Sequence, residues 1–147
     1  MIFRTATRRD LPAIVALLAD DVLGRARDSA GVDAVYERAF QQIDADPRNE
    51  LIVVEEHDDV IACLQVTYIP GLSRHGTERA LVESVRVRAD QRNKGVGVAL
   101  MHWVIDRARA RGCGLVQLTT DKARADAYRF YLRLGFTPSH EGLKLPL

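Results

Sequence analysis

Residues 83–105 read ESVRVRADQRNKGVGVALMHWVI, and the fold turns on how this stretch changes period. Up to Val87 the residues are β-branched and alternate with polar ones, the habit of a strand. A polar turn from Ala89 to Lys94 follows, and a helix opens around Gly95 to Gly97. Counted from Gly97, the positions three, four, seven, eight and eleven on are Leu100, Met101, Val104, Ile105 and Ala108, an apolar stripe at helical spacing. Gly112 stands where a helix C-cap is wanted. A strand, a glycine-bearing turn and a helix N-terminus in succession form an anion site. The first amides of a helix lack partners, and the helix dipole favours negative charge there.

Outward from this unit, the chain reads as alternating elements. Ile2 to Arg4 is predicted as a short strand and Asp10 as the N-cap of a first helix, with Pro12 in its first turn. Leu11, Ile14, Val15, Leu18 and Val22 form that helix's stripe, which ends near Gly24. A second helix from about Val32 carries Tyr36, Phe40 and Ile43 until Asp46 and Pro47 stop it. Leu51 to Glu56 and Val60 to Ile69 are a predicted β-hairpin. Pro70 to Gly76 is a loop, and Ala80 to Val87 is a long strand. Beyond the quoted stretch, Leu115 to Thr119 is a strand and Ala125 to Leu134 a helix with Ala127, Phe130, Tyr131 and Leu134 on one face. Two short strands are expected around Phe136 to Ser139 and Leu143 to Leu145. Antiparallel order that switches to βαβ predicts an α/β fold, a mixed sheet of six to seven strands flanked by about four helices, with residues 1–147 as one domain.

Composition agrees with one globular core. Of 147 residues, 47% are hydrophobic and 28% charged, which excludes disordered, collagen-like and disulfide-stapled classes. The formal net charge of +1 argues against a general nucleic-acid binder, and the aromatics do not interleave with the bases. That total hides a division. Residues 33–60 hold nine acids and two bases, whereas residues 86–112 hold seven bases and two acids. Either run can be a solvated face. The basic one can also receive an anion, and the acidic one hints at a cationic amine as partner. Cys63 and Cys113 lie in apolar runs without a CxxC or a His partner, so reduced core thiols are expected and no metal site. The start MIFRTATRRD has no apolar stretch of signal-peptide length, and no run approaches the roughly 20 residues of a spanning helix. The reading is cytoplasmic, without a membrane partner.

The turn itself excludes two phosphate-binding loops. A Walker loop needs GxxxxGK before Ser or Thr, but Lys94 precedes Gly95. The dinucleotide fingerprint needs a third glycine where Leu100 stands. What remains is Arg92-Asn93-Lys94-Gly95-Val96-Gly97, in which glycines let backbone approach a phosphate and Asn93 tolerates a left-handed turn. About 30 residues later comes Arg129-Phe130-Tyr131-Leu132-Arg133-Leu134-Gly135-Phe136. With these two motifs the sequence resembles the GNAT superfamily of acyl-CoA-dependent N-acetyltransferases, whose Q/R-x-x-G-x-G/A loop and FYxxxGF helix end they match. The resemblance covers Leu81 to Phe136.

That resemblance implies acetyl-CoA as co-substrate, with the acetyl group passing to a primary amine of a small molecule or peptide by direct attack in a ternary complex. It implies that Val85, Arg86 and Val87 hydrogen-bond the pantetheine arm. The amides of Arg92, Asn93, Lys94, Gly95, Val96, Gly97 and Val98 would hold the pyrophosphate. Tyr131 falls at the position of the general acid; a phenol is protonated at neutral pH and can deliver a proton to a departing thiolate. An alkylammonium with pKa near 10 is only about 0.1% deprotonated at pH 7, so a base helps. Glu83, in an apolar strand and on the alternating face of Val85 and Val87, is the candidate; its competing reading is a salt bridge to Arg79 or Arg86. The family often has asparagine seven residues before the tyrosine. Here Arg124 stands there, an alternative contact for a CoA phosphate. Homodimers are common in the family, and no residue marks an interface. The same fold without turnover, as an acyl-CoA-binding regulatory module, is the alternative reading.

Overall fold

The computed structural model describes residues 1–20, 23 and 31–147, which fall into two compact units, Met1–Gln117 and Leu118–Leu147. The first unit is a five-stranded sheet in the order β1-β2-β3-β4-β5. Its strands are β1 (Ile2–Thr5), β2 (Asn49–Glu56), β3 (Asp59–Ile69), β4 (Arg79–Val87) and β5 (Leu115–Gln117). The first four are antiparallel, and β5 joins β4 in parallel. The helices α1 (Leu11–Ala19), α2 (Ala34–Ala45) and α3 (Val96–Arg111) belong to this unit, and α4 (Ala125–Arg133) to the second.

Strand pairing assigns each helix of the first unit to a face. Val53 pairs with Cys63 and Leu51 with Gln65, so these four share one face, and α1 packs there through Ile14 and Leu17. Leu11 and Val15 meet Phe40 of α2 and Leu51 on the same side. Ile52, Leu64, Val66 and Val82 point the other way and are completely buried, as are Leu100, Met101 and Val104 of α3. On that side Phe3 stacks on Trp103 at 6.0 Å, and Arg107 reaches Glu50 at 2.6 Å.

Local chemistry explains most boundaries. Asp33 caps α2 by accepting from the Val35 and Tyr36 amides at 2.9 and 3.3 Å. Gly112 (φ 90°) closes α3 in the left-handed region that glycine enters without strain. Asp10 holds the N-cap position of α1, as predicted, but its side chain makes no capping bond to that helix. Its carboxylate accepts from the Thr7 amide at 2.7 Å and takes both fingers of Arg4, at 2.7 and 2.9 Å. The two oxygens are thus committed behind the helix start, and a short 3-10 turn (Arg8–Asp10) leads in. The loop after β3 holds a left-handed turn at Arg74, His75 and Gly76.

Two further expectations are corrected. The sheet has five strands rather than six to seven, because Phe136 to Ser139 and Leu143 to Leu145 join no ladder among the described residues. Alternating apolar residues are only half of a strand; the other half is a neighbour that pairs its amides and carbonyls, and Leu143 and Leu145 lie 93% and 84% exposed. β5 likewise stops at Gln117, two residues short of Thr119. The predicted end of α1, at Val22 and Gly24, lies outside the described residues.

Candidate functional site

β4 has two partners along only part of its length. Arg79, Ala80 and Leu81 pair with Leu115, Val116 and Gln117 of β5, while on its other side β4 follows β3 to Val87. From Val82 to Val87 the outer edge of β4 therefore has no strand partner among the described residues. Its backbone groups there are available to an extended ligand. Val85, Arg86 and Val87 all lie in this free stretch and are half-buried.

A bulge interrupts β4 in the middle of that stretch. Gln65 pairs with Glu83 and Cys63 with Arg86, so Leu64 alone faces both Ser84 and Val85. Ser84 adopts φ 55° to make the extra residue fit. The alternation predicted from the sequence, with Glu83, Val85 and Val87 on one face, is consequently wrong. Glu83 shares the α1 face with Arg86, and Val87, paired with Ala62, points to the opposite face. Glu83 is exposed, and the competing reading of a salt bridge does not hold, since neither Arg79 nor Arg86 pairs with it. Arg79 donates to Gln117 instead, at 3.4 Å, and Arg86 donates from Nη1 to the Val85 carbonyl, at 2.9 Å.

The chain then turns through Arg88–Gly95 into α3. Asn93 (φ 61°) and Gly95 (φ 82°) are both left-handed, which turns the backbone sharply on either side of Lys94. At Gly95 a side chain would have open space but a strained backbone, so glycine serves the turn rather than relieving a clash. No described side chain caps α3, and the first-turn amides of Val96, Gly97 and Val98 keep their donors for a ligand. Arg92 is not held ready for an anion: its Nε donates to the Val87 carbonyl at 3.0 Å and its Nη2 to the Asp20 carbonyl at 3.2 Å. Lys94 is exposed and makes no ion pair among the described residues.

Most of the basic run is committed elsewhere. Arg88 pairs with Asp90, Arg107 with Glu50, Arg109 with Asp106 and Arg111 with Glu78. The acidic run is spent the same way. Asp33 caps α2, Asp46 accepts from the Arg48 amide, and Glu37, Glu50, Glu55 and Asp59 pair with Arg8, Arg107, Arg4 and Arg88. The charge division seen in the sequence is therefore largely internal cross-bracing.

On the α1 face, a groove of about 120 Å³ runs between α1, α2 and the sheet to the bulge, with Leu18, Tyr36, Phe40, Cys63, Gln65 and Ser84 in its wall. The sequence carried no signal for it, since it depends on how three elements meet. Cys63 is fully buried and donates weakly to the Ser84 carbonyl at 3.9 Å. Burial pushes its thiol up to about 12, against a smaller opposing pull from Arg86. Such a thiol is not a nucleophile at neutral pH.

Tyr131 lies on α4 in the second unit, half-buried, with edge-on contacts to Phe130 at 5.1 Å and Phe136 at 5.9 Å. The Phe136 amide donates to the Tyr131 carbonyl at 3.1 Å as the chain leaves the helix through Gly135 (φ 93°). Motif residues Phe130, Tyr131, Gly135 and Phe136 thus form one structural knot, which alone would justify their pattern. Arg124 precedes α4, with its amide on the Asp121 carbonyl at 2.8 Å. Among the described residues no group of three His, Cys, Asp or Glu side chains could hold a metal, and no helix is long and apolar enough to cross a membrane.

Comparison with known proteins agrees with this geometry. L-methionine sulfoximine/L-methionine sulfone acetyltransferase of Pseudomonas paraeruginosa is 31% identical over 137 residues, 90% of this chain and 78% of that protein. Aminoalkylphosphonate N-acetyltransferase of Salmonella typhimurium is 37% identical over 59 residues, 40% of this chain and only 38% of that protein, so the matched segment is less than half of that relative. A solved structure from Bacillus halodurans C-125, described as a transcriptional regulator, is 48% identical, covers 99% of both chains and superposes with a TM-score of 0.97. Residues 14–136 match the acetyltransferase (GNAT) family. A mixed sheet whose fourth strand runs free past its parallel neighbour into an uncapped helix, together with that match, means that the chain belongs to the acetyltransferase (GNAT) family.

Proposed function

We propose that residues 1–147 act as one N-acetyltransferase domain that moves the acetyl group of acetyl-CoA to a primary amine of a small molecule or peptide. The observation that carries this reading is the free edge of β4 from Val82 to Val87, continuous with the left-handed turn and uncapped start of α3. In this reading Val85 to Val87 pair with the amides of the pantetheine arm, and the Arg92 to Val98 backbone receives the pyrophosphate. Because Arg92 is tied to Val87 and Asp20, its service is to hold the loop's shape, and the amides supply the binding.

The chemistry is direct attack. The ammonium gives a proton to water or to Glu83, whose exposed carboxylate at the bulge has access to both. The nitrogen lone pair then forms the N–C bond, the C–S bond breaks, and the electron pair leaves on sulfur. Tyr131 protonates that thiolate and recovers its proton through solvent from the amide nitrogen. The depth and raised pKa of Cys63 speak against an acetyl-cysteine route. Arg124 takes a secondary part, at a CoA phosphate. The similarity to an enzyme acting on methionine sulfoximine favours a small amine over a large acceptor.

The test is Tyr131→Phe. Turnover should fall about 100-fold, the size of a lost general acid, with acetyl-CoA affinity by calorimetry nearly unchanged. Unaltered turnover removes Tyr131 from the mechanism. The kinship with a protein described as a transcriptional regulator favours a second reading, an acyl-CoA-binding module without turnover. Acetyl-CoA binding with no thiol release from any amine would select it, and strong, salt-dependent DNA binding would call for a third.

A further inference from the structure

The groove beside the bulge defines a class of acceptor. Its wall is almost wholly apolar, contributed by α1, α2 and the sheet, and includes the buried Cys63. Its mouth is different. Ser84 opens onto it, and Glu83, paired with Gln65 of the groove wall, projects from the same face of the sheet. One exposed carboxylate on the sheet face that carries an apolar slot, next to its wall residues Ser84 and Gln65, suits a molecule with one ammonium and an apolar body. The volume narrows the size: an apolar cavity of about 150 Å³ takes benzene, so about 120 Å³ suits roughly four to five non-hydrogen atoms. Polycations would need several free acids, and six of the nine carboxylates in residues 33–60 are already used as caps or ion-pair partners.

Resting on the acetyltransferase reading, we infer that the acceptor is a monoamine bearing a compact apolar substituent of about four to five non-hydrogen atoms, seated between α1 and α2 with its nitrogen toward Glu83. This keeps the cationic amine hinted at by the acidic run but limits it to a single charge, received by Glu83, which lies outside that run. The groove selects by shape and desolvation, and the carboxylate orients the nitrogen.

The experiment is thiol release from acetyl-CoA with a series of straight-chain primary amines from ethylamine to octylamine, set against spermidine, kanamycin and a lysine-containing peptide. The expected kcat/KM rises about fourfold with each added CH₂ up to butylamine or pentylamine and falls beyond. Ala39→Phe, on the groove wall at an exposed position of α2, should lower kcat/KM for pentylamine at least tenfold. Ethylamine should stay within about twofold, and acetyl-CoA affinity should not move. A flat chain-length series, a preference for spermidine or kanamycin, or an equal loss for all amines in Ala39→Phe overturns the inference while leaving an acetyltransferase. If acetyl-CoA itself fails to bind in calorimetry, the reading beneath falls as well.

Discussion

The two faces of the central sheet are built on different terms. The α3 face is sealed: Leu100, Met101 and Val104 meet Ile52, Leu64, Val66 and Val82 with almost no exposure. Around its rim Arg107 grips Glu50 and lies 5.1 Å from the Trp103 ring, and Arg111 pairs with Glu78 and lies 4.1 Å from the Tyr68 ring. The α1 face holds a groove, a buried thiol and a bulged strand. Dense packing on one side gives a rigid sheet, and that rigidity lets the other side carry an open groove and a strained residue. Stability should therefore reside mostly on the α3 face, and recognition on the α1 face.

Truncation is the harshest way to test that division. Leu100→Ala should cost about 3 kcal/mol, since a completely buried leucine leaves a cavity among fixed neighbours, and urea unfolding would measure it. Leu18→Ala, on the half-buried groove wall, should cost about 1 kcal/mol and change the KM for an apolar amine more than the stability. Equal costs at the two positions would dissolve the comparison.

A smaller effect concerns the charge cluster around Arg4. Arg4 bonds both Asp10 and Glu55, and its guanidinium, as the largest influence, holds the Asp10 carboxyl down at about 2 against the opposing effect of burial. Because the folded pKa lies below the unfolded value of 3.8, the contribution is fully present above about pH 4 and is lost as pH falls through 2. The shift corresponds to about 2 kcal/mol. Asp10→Asn should lose that amount at pH 7 and flatten the acid limb of a stability profile taken from pH 7 to pH 2. An unchanged acid limb would show that the cluster contributes little.

The legible parts of this molecule are the local ones. Helical spacing identified α3 to within a residue, because Leu100, Met101, Val104 and Ala108 carry their period in the chain itself. The turn at Asn93 and Gly95 was legible because few residues accept those dihedrals. Glu83 was found as a candidate but set on the wrong set of neighbours, since one extra residue at Ser84 inverts the faces beyond it, and a bulge is fixed by register against β3. The charge runs misled for a related reason: Arg107 finds Glu50 across 57 residues, a pairing no local pattern records. The groove and the missing C-terminal strands also depend on neighbours far along the chain.

The smallest prediction has the opposite sign and bears on the bulge itself. Ser84 holds φ 55°, a conformation that costs a residue with a Cβ about 1–2 kcal/mol. Glycine removes that cost but gives back roughly half of it through the greater freedom of the unfolded chain. Ser84→Gly should therefore stabilise the protein by up to about 1 kcal/mol, read as a higher urea midpoint. The bulge would be kept, since its two-to-one pairing with Leu64 is set by the flanking ladder, so Glu83 and Arg86 would still share the α1 face. Activity would then stay within about threefold. Lower stability would mean that the serine side chain earns its place through contacts on the α1 face. Higher stability with lost turnover would mean that stiffness at the bulge, and not only its register, orients Glu83.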